Sequence, residues 1–239
     1  MKTYILGHRG ASGEAPENTK AAFDKALQQG ADGVELDVQM TKDGHAVVIH
    51  DEKVNRTTDG SGYIKNKSLE EIRSLDSGSY YHSSYKGEKI LSLEESLKIL
   101  EKAKLINIEL KGGGKGLEEE VIKLIRKMGF EKQVLLSSFN HYSMKKISEL
   151  APELKTGVLH VAGLYEPWEY AKNIGASTLN TYYKAARKEM VKRIQRENMQ
   201  VVVYTVNKEK DIRKMLNLGV DVLITDYPAL GVRLRQEIQ

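Results

Sequence analysis

Eight times along the chain, a short apolar run of strand length precedes an amphipathic stretch of helix length, and this alternation leaves few folds open. The strand-length runs are residues 4–8, 33–38, 105–111, 133–138, 154–159, 177–180, 200–205 and 221–225. The helical patterns that follow them are 19–29, 92–103, 117–128, 141–149, 166–173, 187–198, 208–217 and 227–236. Strands separated by helices run parallel, because each helix carries the chain back to the same end of the sheet. Eight such units in 239 residues predict one domain with an α/β fold, a (β/α)8 TIM barrel, a fold that typically takes about 250 residues. A doubly wound open sheet is the competing arrangement, since periodicity does not reveal closure. The first helix carries its own punctuation: Asn18 or Thr19 can cap it, Ala22, Phe23, Ala26 and Leu27 form its buried stripe, and Gly30 ends it.

Two segments break the alternation. Residues 45–50, "HAVVIH", follow the second strand after only "TKDG", too short for a parallel crossover, so they are expected to fold back as a hairpin. A turn through Lys42 and Asp43 that pairs Thr41 with Gly44 would set Asp37 opposite Val48 and Glu35 opposite His50. Residues 51–91 are polar, rich in Gly and Ser, and carry Tyr63, Tyr80, Tyr81 and Tyr85. An excursion of that length from a compact barrel is expected to be a small insertion over one mouth of the barrel rather than a plain connection.

Composition excludes several classes of function. The net charge of +4, from 37 basic and 33 acidic residues, is small and scattered, which argues against nucleic acid as a partner. The chain has no cysteine, hence no disulfide, thiolate nucleophile or Cys-based zinc site. Its first residues, "MKTYILGHRG", lack the apolar stretch of about 7 to 15 residues that a signal peptide needs. No run approaches the roughly 18 apolar residues of a membrane span. The expectation is a cytoplasmic protein without stable membrane insertion, its oligomeric state left open.

The chemistry is expected on two strands. In "GVELDVQ", Val34, Leu36 and Val38 point one way and Glu35, Asp37 and Gln39 the other; "LINIELK" repeats the arrangement with Asn107, Glu109 and Lys111. Buried parallel strands normally read as continuous apolar runs, so something polar must occupy the space these two face. Three carboxylates converging without partners would repel one another and raise their own pKa values, and a bound cation removes the conflict. Oxygen-only ligation selects a hard ion, Ca²⁺ or Mg²⁺. His8 and Arg9 end the first strand, His50 ends the hairpin, and Lys111 follows Glu109. A cation, two cationic side chains and two histidines together suit the cleavage of a phosphate ester.

These residues lie in stretches that closely resemble the glycerophosphodiester phosphodiesterase family over nearly the whole chain: "GHRGASGEAPENTKAAF", "GVELDVQMTKDGHAVVIHDEKVNRTTDGSG", "INIELKG", "SSFN", "VVVYTVN" and "GVDVLITDYP". The resemblance implies a distorted (β/α)8 barrel that hydrolyses glycerophosphodiesters, small-molecule substrates, to sn-glycerol 3-phosphate and an alcohol, with one divalent cation, usually Ca²⁺ or Mg²⁺. It implies acid–base histidines at His8 and His50, metal ligands at Glu35, Asp37 and Glu109, and phosphate contacts at Arg9 and Lys111. Where many relatives carry Trp in the late "WTVN" motif this chain has Tyr204, which the resemblance implies to be an aromatic wall of the substrate pocket. His8 is expected to accept a proton from the attacking oxygen, of water or of the substrate's own glycerol hydroxyl, and His50 to protonate the leaving alkoxide. A related phospholipase acting on intact lipid is the alternative, and the polar insertion argues against it.

Other features are read as structural. "GGGKG" at 112–116 lacks the spacing of a phosphate-binding loop. Trp168 opens a helical pattern, and His45, His82, His141 and His160 have no convergent partners. Asn18 and Phe139 fall in family-like stretches without a catalytic assignment.

Overall fold

A computed structural model describes residues 2–112 and 116–239, so the centre of the "GGGKG" stretch lies outside the described residues. The strands are β1 (Tyr4–His8), β2 (Gly33–Met40), β3 (Ala46–Val48), β4 (Leu105–Leu110), β5 (Val134–Ser138), β6 (Lys155–His160), β7 (Thr178–Tyr182), β8 (Gln200–Tyr204) and β9 (Val222–Thr225). The helices are α1 (Lys20–Gln28), α2 (Leu69–Ser74), α3 (Leu93–Ile99), α4 (Leu117–Met128), α5 (His141–Leu150), α6 (Pro167–Ile174), α7 (Lys188–Arg196), α8 (Glu209–Leu218) and α9 (Pro228–Ile238). All strands but β3 run parallel, in the order β1-β9-β8-β7-β6-β5-β4-β2, and β1 pairs with β2. That last pairing closes the barrel and rules out the open sheet.

The outer faces of the strands pack on the helices in one continuous core, in which Phe23, Leu36, Ile106, Ile108 and Leu124 are typical members. Leu6, Leu105, Leu135, Val202, Val222 and Ile224 point inward and plug the barrel beneath the site. Below the plug the ends of the chain are locked together. Asp32 accepts the Ile5 N–H at 3.0 Å and the Lys104 ammonium at 2.9 Å, and its other contact is the buried Arg235 guanidinium.

Thr19 caps α1, accepting the Ala22 N–H, and Gly30 ends the helix at φ +81°. The hairpin register is one residue away from expectation. Val38 pairs with Val48 and Met40 with Ala46, joined by a three-residue turn through Lys42, Asp43 and Gly44. Gly44 at φ +83° lets the chain turn in a conformation that costs other residues energy, which accounts for the longer turn. Asp37 therefore lies across from Ile49, whose N–H donates to its carbonyl, and neither Asp37–Val48 nor Glu35–His50 is a strand pair.

Residues 51–91 form 3₁₀ turns and α2 around a small core of Val47, Ile49, Val54, Ile64, Ile72 and Ile90. This insertion docks on the loop between β1 and α1: Tyr81 and Tyr85 donate to the carbonyls of Gly13 and Glu14, and Tyr80 Oη accepts the Glu17 N–H, each at 3.1 Å.

Candidate active site

Above the apolar plug the same alternation delivers polar groups. Asp37 is paired with Glu109 across β2 and β4, Glu35 with Asn107, and His8 with Glu35 across β1 and β2. Parallel neighbours in register point to the same side, so three carboxylates collect at the carboxyl-terminal mouth. Oxygens of Glu35, Asp37 and Glu109, all buried, lie within 4.8 Å of one another.

Two cations enter the cluster. Arg9 Nε stands 3.2 Å from Asp37 Oδ2, and Lys111 Nζ stands 3.3 Å from Asp37 Oδ1 and against Glu109 Oε1. Arg9 and Asn18 both adopt left-handed backbone, at φ +55° and +58°, a strained conformation outside glycine. The bends aim the Arg9 guanidinium and the Asn18 amide at the same oxygen, Asp37 Oδ2, which Asn18 Nδ2 reaches at 2.9 Å. Asn18 thus serves Asp37 and leaves capping to Thr19.

The charge is unevenly compensated. Burial acts to raise the Asp37 carboxyl, but Arg9 and Lys111 outweigh it and hold the group below the usual carboxylate range. Glu35 is pushed up to about 8, first by burial and then by the Asp37 charge. Burial and Asp37 raise Glu109 as well. Asp37 Oδ1 and Glu109 Oε1 are buried and accept no hydrogen bond of good geometry. An all-oxygen donor set, short of positive charge and with buried lone pairs to spare, fits a hard divalent cation held by Glu35, Asp37 and Glu109.

The histidines flank this cluster, each oriented by a carboxylate. His8 Nδ1 donates to Asp226 Oδ1 at 2.6 Å, which leaves Nε2 turned toward the cluster, 4.0 Å from Glu35 Oε2. Burial opposes protonation of His8, but Asp226 and Glu35 together overcome it and raise the pKa. Asp226 is held in turn by Ser12 Oγ at 3.1 Å and by the Asn207 side-chain amide. His50 reaches the mouth from the turn after β3, not from the strand. Its Nδ1 donates to Asp51 Oδ1 at 2.7 Å. Burial lowers its pKa; Asp37 pulls upward, and Arg9 and Lys111 push down. From Asp51 the contacts run through Arg56 to Glu17 and on to Arg9, each link 2.7 Å long, tying the insertion to the acidic cluster.

Every residue expected at the site is therefore at this mouth. Tyr204 stands on the far wall from the insertion, its hydroxyl donating to the His160 carbonyl at 2.9 Å and its ring edge-on to Phe139 at 6.2 Å. Asp226, Asn207, Asp51, Arg56 and Glu17 had no role in the sequence reading. The available signal was that "TVN" and "TDYP" end β8 and β9, where barrels place functional groups. His160 is a satisfied buried histidine, donating from Nδ1 to the Ala162 carbonyl and accepting from Thr181. Trp168 packs on the core beneath the Arg193 guanidinium.

Comparison with known proteins agrees with this geometry. Residues 8–230 match the glycerophosphoryl diester phosphodiesterase family. The chain is 44% identical over 238 residues to the glycerophosphodiester phosphodiesterase of Caldanaerobacter subterraneus subsp. tengcongensis, with 98% of each chain covered. It is 36% identical over 260 residues to the glycerophosphodiester phosphodiesterase of Bacillus subtilis, covering 98% of this chain and 87% of that one. Among solved structures, an Oleispira antarctica phosphodiesterase in complex with the product sn-glycerol-3-phosphate superposes with a TM-score of 0.89 at 32% identity, covering 98% of this chain and 97% of the other.

Proposed function

We infer the chemistry of this chain from its kinship: it belongs to the glycerophosphoryl diester phosphodiesterase family and is a phosphodiester hydrolase. The reading is hydrolysis of glycerophosphodiesters to sn-glycerol 3-phosphate and an alcohol, dependent on one divalent cation. The observation that carries it is the meeting of three buried carboxylates, Arg9, Lys111 and two carboxylate-oriented histidines at one mouth of the barrel.

Glu35, Asp37 and Glu109 would hold Ca²⁺ or Mg²⁺. When bound, such an ion supplies positive charge against the phosphoryl oxygens. The residues of the chain do the rest. Arg9 and Lys111 draw the phosphate to the cluster and offset the charge that grows on its oxygens as the ester breaks. Asp226 fixes the His8 ring with Nε2 toward the reacting centre and stabilises the imidazolium formed when His8 takes the proton of the attacking oxygen. His50, whose proton affinity is lowered by burial beside Arg9 and Lys111, is the stronger acid and gives its proton to the leaving alkoxide. Tyr204 walls the pocket on the side away from the insertion.

The test is release of glycerol 3-phosphate from glycerophosphocholine, glycerophosphoethanolamine and bis-glycerophosphate, with and without EDTA. Turnover should stop with EDTA and return with Ca²⁺ or Mg²⁺. His8→Ala and His50→Ala should each lose about 10² to 10⁴ in rate. Near-wild-type turnover in either variant removes that histidine from the scheme, and EDTA-resistant turnover removes the cation.

A further inference from the structure

One guanidinium grips two carboxylates that serve different parts of the site. Arg56 ends the 3₁₀ turn Val54–Arg56, whose Val54 is buried in the small core of the insertion. Its Nε and Nη2 hold Asp51, at 2.7 Å to Oδ2 and 3.0 Å to Oδ1. Its Nη1 and Nη2 hold Glu17, at 2.7 Å to Oε2 and 2.9 Å to Oε1. These are two bidentate pairs on two edges of one plane, a geometry that a guanidinium provides and a lysine ammonium does not. Each carboxylate passes the constraint on. Asp51 Oδ1 also accepts the His50 Nδ1–H at 2.7 Å, and Glu17 Oε1 also accepts Arg9 Nη1 at 2.7 Å.

Exposed ion pairs ordinarily contribute little, and the Arg56 side chain is 45% exposed. The far end of the chain of contacts is not exposed: the side chains of Glu17 and Arg9 retain only 16% each. Burial acts to raise the Glu17 carboxyl, and Arg56 and Arg9 together outweigh it. Among the described residues, His50 and Arg56 are the only side chains bonded to the Asp51 carboxylate, and Arg9 and Arg56 the only ones bonded to that of Glu17. Docking of the insertion does not require Arg56, since the hydroxyls of Tyr80, Tyr81 and Tyr85 already tie it to the loop between β1 and α1. What Arg56 adds is a fixed spacing between two carboxylates, one behind His50 and one behind Arg9.

We propose that Arg56 is a positioning residue for the hydrolysis, setting through Asp51 the ring that protonates the leaving alkoxide and through Glu17 the guanidinium that holds the phosphate. The inference rests on the proposed function and extends it to a residue whose bonds end on Asp51 and Glu17, outside the acidic cluster. With the fork in place, the acid and the phosphate contact keep one mutual distance. A displacement of about 1 Å between such groups costs on the order of 10² in rate.

The test follows turnover of glycerophosphoethanolamine with Ca²⁺ by wild type, Arg56→Ala and Arg56→Lys. Arg56→Ala should lower kcat by about tenfold to a hundredfold and raise KM by about threefold or more, because the acid and the phosphate contact are loosened together. Guanidinium chloride at tens of millimolar should raise the kcat of Arg56→Ala at least about threefold over sodium chloride of equal ionic strength, as the free cation fills the vacated fork. Arg56→Lys keeps the charge and loses the fork, so it should stay within about threefold of Arg56→Ala. Wild-type kcat in Arg56→Ala, full activity in Arg56→Lys, or a loss that guanidinium does not reverse overturns the proposal and leaves the hydrolase reading intact. A second readout needs no turnover. The tautomer of the His50 ring is followed by nitrogen–proton NMR correlation at about pH 8, where the imidazole is neutral, with His50→Ala supplying the assignment. The Nδ1–H form should dominate in wild type, give way to a mixture with the Nε2–H form in Arg56→Ala, and return with guanidinium. If wild type turns over no substrate, the hydrolase reading fails and the tautomer decides alone. The shift then sustains the positioning of His50 by Arg56, and the same tautomer in wild type and Arg56→Ala overturns it.

Discussion

Asp226 stands just beyond the last strand, and the whole orientation of His8 depends on it. With the carboxylate replaced by an amide, the imidazole keeps a neighbour of the same size but loses the charge that favours its protonated form. Asp226→Asn should lower kcat by about 10², the lower end of what a positioned acid or base contributes, and leave cation binding unchanged by calorimetry. A variant that turns over like wild type would show that the contact is only structural. Period-two alternation made Glu35, Asp37, Glu109 and Lys111 legible, because each lies in or beside a strand whose faces the pattern defines. Asp226, Asn207 and Asp51 lie beyond strand ends, where no periodicity says which way a side chain points, so their partners emerge only from the fold. Glu35 makes a second prediction at this scale. A buried carboxyl crowded by Asp37 costs the cation-free protein stability, and an amide keeps the Arg9 N–H acceptor without the charge. Glu35→Gln should raise the melting temperature in EDTA by a few degrees while abolishing activity. A lower melting temperature in EDTA would mean that the carboxylate is compensated without an ion.

At the scale of elements, local patterns placed nearly every strand and helix to within two residues, since runs of apolar residues bounded by Gly, Pro and caps carry that information. The pattern at 92–103 overreached, because α3 stops at Ile99. The hairpin register failed for a sharper reason. "TKDG" admits both a two-residue and a three-residue turn, and the left-handed Gly44 selects the longer one. How α9 joins the barrel was not legible either: Asp32 and Arg235 are 203 residues apart. The Arg235 guanidinium also donates to the Thr3 carbonyl at 2.9 Å, so this one buried pair binds α9 to the strand floor. Asp32→Asn leaves a buried guanidinium without its countercharge and should cost about 3 kcal/mol at pH 7 by urea denaturation. The pH dependence has a definite sign. Burial alone would raise the Asp32 pKa, but the Ile5 N–H, Lys104 and Arg235 together depress it below the unfolded value. The stabilisation is thus complete above the unfolded pKa of about 3.9 and is lost as pH falls through the lower folded value. The gap between wild type and Asp32→Asn should therefore close in acid; a gap that is constant down to pH 2 would contradict the assignment.

Across the whole molecule, the acidic cluster is where separate parts of the fold meet. Its carboxylates come from neighbouring strands β2 and β4, its guanidinium from the loop after β1, and its link to the insertion from the contacts through Glu17, Arg56 and Asp51. Closure of the barrel, which no local pattern announces, is what sets β1 beside β2 and His8 beside Glu35. An ion held by Glu35, Asp37 and Glu109 would therefore brace the barrel as well as serve the reaction, and its binding energy would appear as stability of the entire chain. A ligand at a hundred times its dissociation constant adds about 2.7 kcal/mol, and a domain of this size gains about 2 to 4 °C in melting temperature per kcal/mol. Saturating Ca²⁺ or Mg²⁺ should raise the melting temperature by roughly 5 to 10 °C over the protein in EDTA. Glu109→Gln removes one ligand at the junction of the two strands and should erase most of that shift. If calorimetry instead finds the same melting temperature with and without the cation, the three carboxylates do not share an ion.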